Sequence, residues 1–402
     1  MDTEQKLEQL GAAAGHDVAS ARPTSAAGRR RPRGAPAAPA PVPGVCHVAG
    51  GGGPLLRVLM TDRCEHDCHF CPLRASAPRR RTGFEPEELA RTFGQLRDAG
   101  RVDGLYLSSA VDGSPDRTME RMLDAVELVR AREGFDGYVH LKVLPGVSDA
   151  VVEAAARLAS RVSINVEVPN GAYLARLGTG KDMARDILRP MRLLHRMEGE
   201  GHLPSGISTQ YVVGAAGESD REIVGSVRYL AEELGLRRAY FGLFRPVAGT
   251  PLEDLAATHP NRQARLYQAN WLTRVYGLAH DEVADAFDGG GNLPLGVDPK
   301  VAVALAHPER PPLDVNTASP EELLRVPGIG PVSVRRIVAL RREHRFTHLD
   351  QLKAAGVAVT RAAPFILVGG REPEGAGVGR ARLARQRAAA PSQFGVQLPL
   401  FE

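Results

Sequence analysis

The sequence predicts an α/β protein, a partial barrel of six β/α units followed by a small all-α module. Three observations carry this. Apolar runs of strand length alternate with longer helical patterns, a spacing that suits right-handed βαβ units and a parallel sheet. Six such units make a partial barrel, where eight would close one. Beyond residue 313 a helix-capping signature opens a second segment of short helices.

At 402 residues the chain has room for one large α/β domain plus a small module. An apolar content of 43% is enough for a core, no apolar run approaches the roughly 18–20 residues of a membrane span, and the N-terminus lacks a hydrophobic signal-peptide region. A soluble, cytoplasmic protein with no membrane role is expected. The net charge of +4 divides unevenly along the chain. Residues 46–309 carry 31 Lys+Arg against 35 Asp+Glu, whereas residues 310–390 carry 14 against 7. Such asymmetry suggests that the C-terminal part meets a polyanion. The plainer reading is an arginine-rich composition, since lysine occurs only at Lys6, Lys142, Lys181, Lys300 and Lys353.

In chain order, residues 1–44 read as a flexible N-terminal segment. A short helical pattern (Leu7, Leu10, Ala13, Ala14) begins it, and residues 21–43 are dominated by Ala, Pro, Gly and Arg, too poor in apolar surface to order themselves. Arg29, Arg30, Arg31 and Arg33 read as a solvated basic tail. The barrel occupies residues 45–258, with strands expected at 55–61, 104–109, 137–144, 162–168, 207–213 and 238–244. Helices are expected near 85–99, 116–133, 148–159, 181–198 and 219–235. A bridging helical region, 259–312, includes a helix at 260–276 whose Tyr267, Trp271 and Tyr276 read as core. The all-α module spans 313–370, and 371–402 reads as a basic, flexible tail.

The first expected strand ends one loop before Cys64, Cys68 and Cys71, spaced C-x₃-C-x₂-C. Thiolates at this spacing converge from one loop, and three of them leave one iron of a [4Fe–4S] cube without a protein ligand. A structural zinc site is the alternative, completed as Cys₃His by His47, His66 or His69, although no second cysteine pair exists. A disulfide framework would barely staple so long a chain, and free thiolate ligands imply a reducing compartment. Cys46 is the remaining thiol, either a hydrogen-atom donor to a substrate radical or a small buried hydrophobe.

The cysteine pattern, with Phe70 before the last cysteine, resembles the signature of the radical S-adenosylmethionine enzymes. The resemblance implies a partial barrel of their TIM-like type, with a [4Fe–4S] cluster and S-adenosylmethionine as cofactors. It also implies an electron donor such as flavodoxin or ferredoxin. The protein's part in such chemistry is position and shielding. Candidate cofactor contacts fall at the expected C-terminal strand ends. Ser108 and Ser109 stand where many members carry a turn to the methionine amine. Asn165 and Glu167 alternate along the fourth strand and therefore share a face, where two polar groups need partners that a bound ribose or amine would supply, unless they satisfy each other. Gln210 and Gly214 lie in the element resembling the one against adenine, and Glu218 reads as a cap for the next helix with Ser219 and Asp220. Arg245 ends the sixth strand, placed for an anionic group or a structural ion pair.

In the second module, Ser319, Pro320 and Glu322 form a capping box with proline at the first helical position. The run from Arg325 to Val338 resembles the helix-hairpin-helix motif of DNA-binding proteins. Gly328, Ile329 and Gly330 form a tight turn that exposes backbone N–H groups, and the next helix adds its positive N-terminal end, so a phosphate can be held without reading a base. Arg335, Arg336, Arg341, Arg342 and Arg345 would supply the surrounding field. Gly330→Val is expected to distort the turn. A degenerate second copy, with Gly356 as its turn glycine, is expected around 349–366.

The two motifs in this order resemble one bacterial family, described as radical S-adenosylmethionine proteins of DNA modification or repair, over roughly residues 45–370. The resemblance implies action on DNA, with RNA as the alternative, and a uracil-DNA-glycosylase-like protein as partner. A non-catalytic, redox-sensing nucleic-acid binder is the competing reading from another class.

Overall fold

Six apolar segments pair side by side as parallel strands, and the helices that connect them cover the outer face of the curled sheet. In this computed structural model, which describes residues 1–16, 42–47 and 53–389, two compact units form. One comprises residues 1–218 and 226–258, and the other residues 219–225 and those from 259 onward.

The first unit holds a seven-stranded sheet in sequence order: β1 (Val45–His47), β2 (Pro54–Leu59), β3 (Gly104–Ser108), β4 (Tyr138–Lys142), β5 (Arg161–Ser163), β6 (Ile207–Val213) and β7 (Leu236–Leu243). Strands β2 to β7 are parallel, and β1 runs antiparallel to β2 with Cys46 opposite Leu55. The sheet is a partial (β/α)₆ TIM-like barrel with one added edge strand. All five residues of β3 are buried. The crossover helices are α2 (Pro86–Asp98), α3 (Pro115–Ala131), α4 (Asp149–Leu158), α6 (Arg189–Gly199) and α7 (Asp220–Leu234). Each turns an apolar stripe inward, as α6 does with Met191, Leu194 and Met197. The α3 helix begins as its sequence dictates: Ser114 accepts a bond from the Arg117 amide, and Pro115 follows it.

Several expectations need correction. The first sixteen residues are not a loose segment: α1 (Thr3–Ala13) buries Leu7 and Leu10, Lys6 bonds Glu88 at 2.6 Å, and Gln9 donates to Asp62 at 2.7 Å. The arginine cluster 29–33 lies outside the described residues. The fourth expected strand is cut short, since β5 ends at Ser163 and residues 164–168 run irregularly, held by Thr209. Its hydroxyl donates to the Ile164 carbonyl at 2.6 Å and accepts from the Val166 amide at 3.1 Å. Between β5 and α6 the chain adds α5 (Gly171–Arg176) and a π-helical turn over Met183–Leu188.

The second unit contains α8 (Pro260–Arg274), α9 (His280–Ala284), α10 (Pro299–Ala306), β8 (Leu313–Asp314), α11 (Pro320–Arg325), α12 (Pro331–Leu340), α13 (Leu349–Ala354), α14 (Val359–Ala362), β9 (Ile366–Leu367) and α15 (Ala376–Ala388). Residues 315–368 build their own core from Val315, Leu323, Ile329, Ile337, Phe346 and Ile366, and β8 pairs with β9 to close the segment. Trp271 is 52% exposed, so that aromatic is not core. The expected flexible tail includes α15, whose Arg380 donates to the Pro364 carbonyl. Among the described residues no helix is long and apolar enough to cross a membrane.

Candidate active site and hairpin module

The cysteine loop leaves the carboxyl end of β2 and is fixed from several sides. Thr61 and Asp62 are fully buried. Asp62 accepts from the Thr82 amide at 2.7 Å and from Arg79 at 3.1 Å. Arg81 donates to the carbonyls of Asp62, Leu73 and Arg74 at 2.6, 2.9 and 2.6 Å, clamping both ends of the loop. Asp67 accepts two bonds from Arg74 and two from Ser76, which hold its carboxyl well below the usual carboxylate range. His69 donates its backbone N–H to the Leu177 carbonyl at 2.9 Å, tying the loop to the end of α5.

Cys68 is buried, and Cys64 and Cys71 are half-buried, as is Phe70. The Leu73 amide points at the Cys71 sulfur, 3.4 Å away. Burial pushes the Cys68 thiol up to about 12; nearby Lys181 lowers it, while Cys71, Glu167 and Cys64 add to the rise. Burial likewise raises Cys71, against the Leu73 amide. Three neighbouring thiols whose ionised forms oppose one another are a donor set that a cationic centre relieves. Three thiols offered by one loop are the donor set that a cube takes, each thiolate on a different iron.

Lys181, Glu167 and Asn165 form the polar group beside the thiols. The Lys181 ammonium donates to Glu167 Oε1 at 3.4 Å, and the Asn165 amide to Oε2 at 3.5 Å. Both distances are at the outer limit of a hydrogen bond. Burial opposes the Lys181 charge, but Glu167, Cys68 and Cys71 outweigh it and hold its pKa above the ordinary lysine value. Glu167 sits at φ +64°, in the left-handed region that side chains avoid. Its amide donates to the Gln210 carbonyl at 3.0 Å and its carbonyl accepts from Val212 at 2.7 Å. Strand alternation therefore does not align Asn165 with Glu167; a left-handed backbone turn does. No sequence period signals Lys181, which reaches Glu167 only after α5 intervenes.

The other candidates are placed as follows. Ser108 is buried at the end of β3, and the hydroxyl of Ser109 is buried without a hydrogen-bond partner among the described residues, as are those of Ser163 and Ser208. Gln210 is buried on β6. Gly214, at φ +91°, donates its amide to Glu218, which also accepts from the Ala216 amide at 3.2 Å. Glu218 thus closes the turn, and of the expected cap residues Ser219 makes the box at the start of α7, with Glu222. Arg245 is exposed beyond β7, with no hydrogen bond or ion pair to the described residues. Cys46 packs half-buried against Leu55 and Tyr106 at the start of β2. At strand rise the interval from Leu55 to Thr61 spans about 20 Å, so Cys46 lies at the opposite end of β2 from the cysteine loop.

In the module, Ser319 and Glu322 bond reciprocally at 2.7 and 3.1 Å. The α11–α12 turn is braced by the second hairpin: the Ala358 amide donates to the Gly328 carbonyl at 2.9 Å, and Ser333 donates to the Gly356 carbonyl at 2.8 Å. Gly328 has φ +82°, and a Cβ there would come within 2.6 Å of the Ala358 carbonyl oxygen. Gly330 lies at φ −107°, and its Cβ would stand 3.4 Å from the Tyr276 hydroxyl. The turn's intolerant glycine is therefore Gly328, not Gly330. Arg335, Arg336, Arg342 and Arg345 are exposed. Arg341 instead donates to the Val315 and Ala318 carbonyls at 3.2 and 2.6 Å and belongs to the scaffold.

Residues 58–230 match the radical SAM superfamily, and residues 309–356 match the helix-hairpin-helix motif. Residues 58–230 are a radical SAM enzyme domain. The cofactors of such a domain are a [4Fe–4S] cluster and S-adenosylmethionine. No curated protein matches the chain. Similar solved structures include the FeFe-hydrogenase maturase HydG from Carboxydothermus hydrogenoformans (12% identity, 52% of this chain and 48% of that one, TM-score 0.41). A radical SAM methyltransferase from Sphaerobacter thermophilus is another (15% identity, 56% and 64%, TM-score 0.43), as is methylornithine synthase (15% identity, 66% of each chain, TM-score 0.42). The chain thus spans about half the length of the maturase it matches.

Proposed function

We propose that the protein generates a 5′-deoxyadenosyl radical and directs it at nucleic acid, in DNA modification or repair. The observation that carries the reading is the pairing, within one chain, of a three-thiol loop at the carboxyl end of the first parallel strand with a glycine turn flanked by exposed arginines. Cys64, Cys68 and Cys71 would hold the cluster. When bound, the cluster supplies the electron that splits the sulfonium of S-adenosylmethionine.

The chain's own residues orient and shield. Lys181 keeps positive charge beside the thiols, and Glu167 and Asn165 fix its position. Glu167 retains carboxylate lone pairs for a cofactor amine or ribose hydroxyl, and the Ser109 hydroxyl is a second group in want of a partner. Phe70, Ser108, Gln210, Gly214 and Arg245 complete the proposed contacts. The hairpin holds phosphate through the Gly328–Gly330 segment with Arg335 and Arg336 around it, and phosphate contacts position nucleic acid without specifying its sequence. Thiolate ligands suit a reducing compartment, and the reading takes the cytoplasm as the location, flavodoxin or ferredoxin as electron donor and a uracil-DNA-glycosylase-like protein as partner.

Anaerobic reconstitution with iron and sulfide, followed by reductant and S-adenosylmethionine, tests the reading. Wild-type protein should release 5′-deoxyadenosine, and Cys64→Ala, Cys68→Ala or Cys71→Ala should each abolish it. A fully loaded protein that never cleaves the cofactor would instead be a redox sensor, and one that holds stoichiometric zinc and refuses iron would contradict the cluster.

A further inference from the structure

Lys300 lies on α10, ahead of the hairpin in sequence, and is 6% exposed. Its ammonium donates to the Ile329 carbonyl at 2.6 Å, inside the turn itself, and stands 4.5 Å from the centroid of the Tyr276 ring. No carboxylate pairs with it among the described residues. Tyr276 in turn borders Gly330, so Lys300 and the tyrosine both pack against the turn. The ten-residue α12 begins immediately after Gly330, which brings its positive end to the same turn. A buried ammonium without a counter-ion, aimed at an anion-binding turn, points to an anion as its missing partner.

We propose that Lys300 is the charge beneath the hairpin turn: nucleic-acid phosphate on the Gly328–Gly330 segment is held more tightly when Lys300 carries its proton, so that binding takes up a proton. The inference rests on the nucleic-acid reading of the hairpin. Burial pushes the Lys300 ammonium down to about 7, with Asp298 raising it and Arg361 lowering it. Asp298 is itself paired with Arg361, so it does not neutralise Lys300. The Tyr276 ring face favours the ammonium. Arg265 lies close enough to Asp298 and Arg361 to feel both. On the helices packed against α10, Asp285 pairs with His307, and Arg387 donates to the Asp285 carbonyl. The free protein is therefore poised between its two protonation states near neutrality. An arriving phosphate favours the charged state, and reciprocity requires that the proton favour the phosphate.

The test uses the full-length protein and a short fluorescein-labelled DNA duplex, with anisotropy titrations at constant ionic strength. Between about pH 6.5 and about pH 9 the wild-type affinity should fall about five- to tenfold as Lys300 loses its proton. Lys300→Met, which keeps length without charge, should bind at the weaker limit and lack this component, leaving only what exposed histidines contribute. Calorimetry of the wild type in buffers of different ionisation enthalpy should show net proton uptake near pH 8, a readout that needs no variant to fold. Matching pH profiles for wild type and Lys300→Met, or binding without proton uptake, would overturn the role of Lys300 and leave the hairpin's binding intact. Undetectable binding at every pH and at low salt would overturn the nucleic-acid reading itself.

Discussion

Lys181 ties the cysteine loop to the irregular stretch after β5, and its substitution separates structure from chemistry. Removing one member of a buried ion pair leaves the other charged and unpaired, at a cost of about 3–5 kcal/mol. The side chains of Lys181 and Glu167 are only 12% and 7% exposed, so Lys181→Met should fall in the lower part of that range, given the long 3.4 Å contact. Denaturant unfolding of the anaerobic protein checks it, and adding Glu167→Gln should recover part of the loss. A Lys181→Met protein as stable as wild type would show that the pair carries no structural load. The three cysteines were legible from spacing alone, because their chemistry depends on a local loop. Lys181 was not, because tertiary folding across α5 and a π-helical turn brings it to Glu167. For Glu167 the sequence suggests strand alternation, whereas a positive φ sets its backbone direction, which no alternation pattern encodes.

Among the elements, the hairpin offers the sharpest contrasts. Gly328→Ala should destabilise the module by about 2 kcal/mol, combining a left-handed backbone penalty with a clash at the Ala358 carbonyl, whereas Gly330→Ala should cost far less. Thermal unfolding of the two variants decides between them. Arg335→Ala or Arg336→Ala should each lower the salt slope of nucleic-acid binding by about one unit wherever the side chain touches a phosphate. Arg341→Ala should lower stability and leave that slope unchanged, because its guanidinium serves two backbone carbonyls. Lys300 adds a pH dependence of known sign. Its folded pKa is about 7 against 10.5 when exposed, so the unfolded chain binds more protons between those values. Stability should therefore rise with pH from about 7 to about 10.5, and Lys300→Met should remove that rise. Strand and helix positions in the barrel were readable because each buried strand is an apolar run between amphipathic helices. The helical pattern of α1 is readable but its docking is not, because α1 is held partly by Lys6 and Gln9, whose partners lie more than fifty residues away, and few apolar residues mark α15.

For the whole molecule, the reading joins a radical-generating barrel to a phosphate-holding module in one chain. Charge follows the same division: the barrel is near neutral and the basic excess falls in the C-terminal part, where a polyanion would meet it. Nucleic-acid binding should accordingly fall steeply with salt and ignore base sequence. The central claim is tested most directly by incubating the reduced, reconstituted protein with S-adenosylmethionine and defined DNA or RNA, then digesting the nucleic acid and analysing its nucleosides by mass spectrometry alongside 5′-deoxyadenosine. The account predicts a nucleoside of altered mass that appears with 5′-deoxyadenosine and is absent from the Cys71→Ala control. Steady release of 5′-deoxyadenosine with every nucleoside of DNA and RNA unchanged would contradict it.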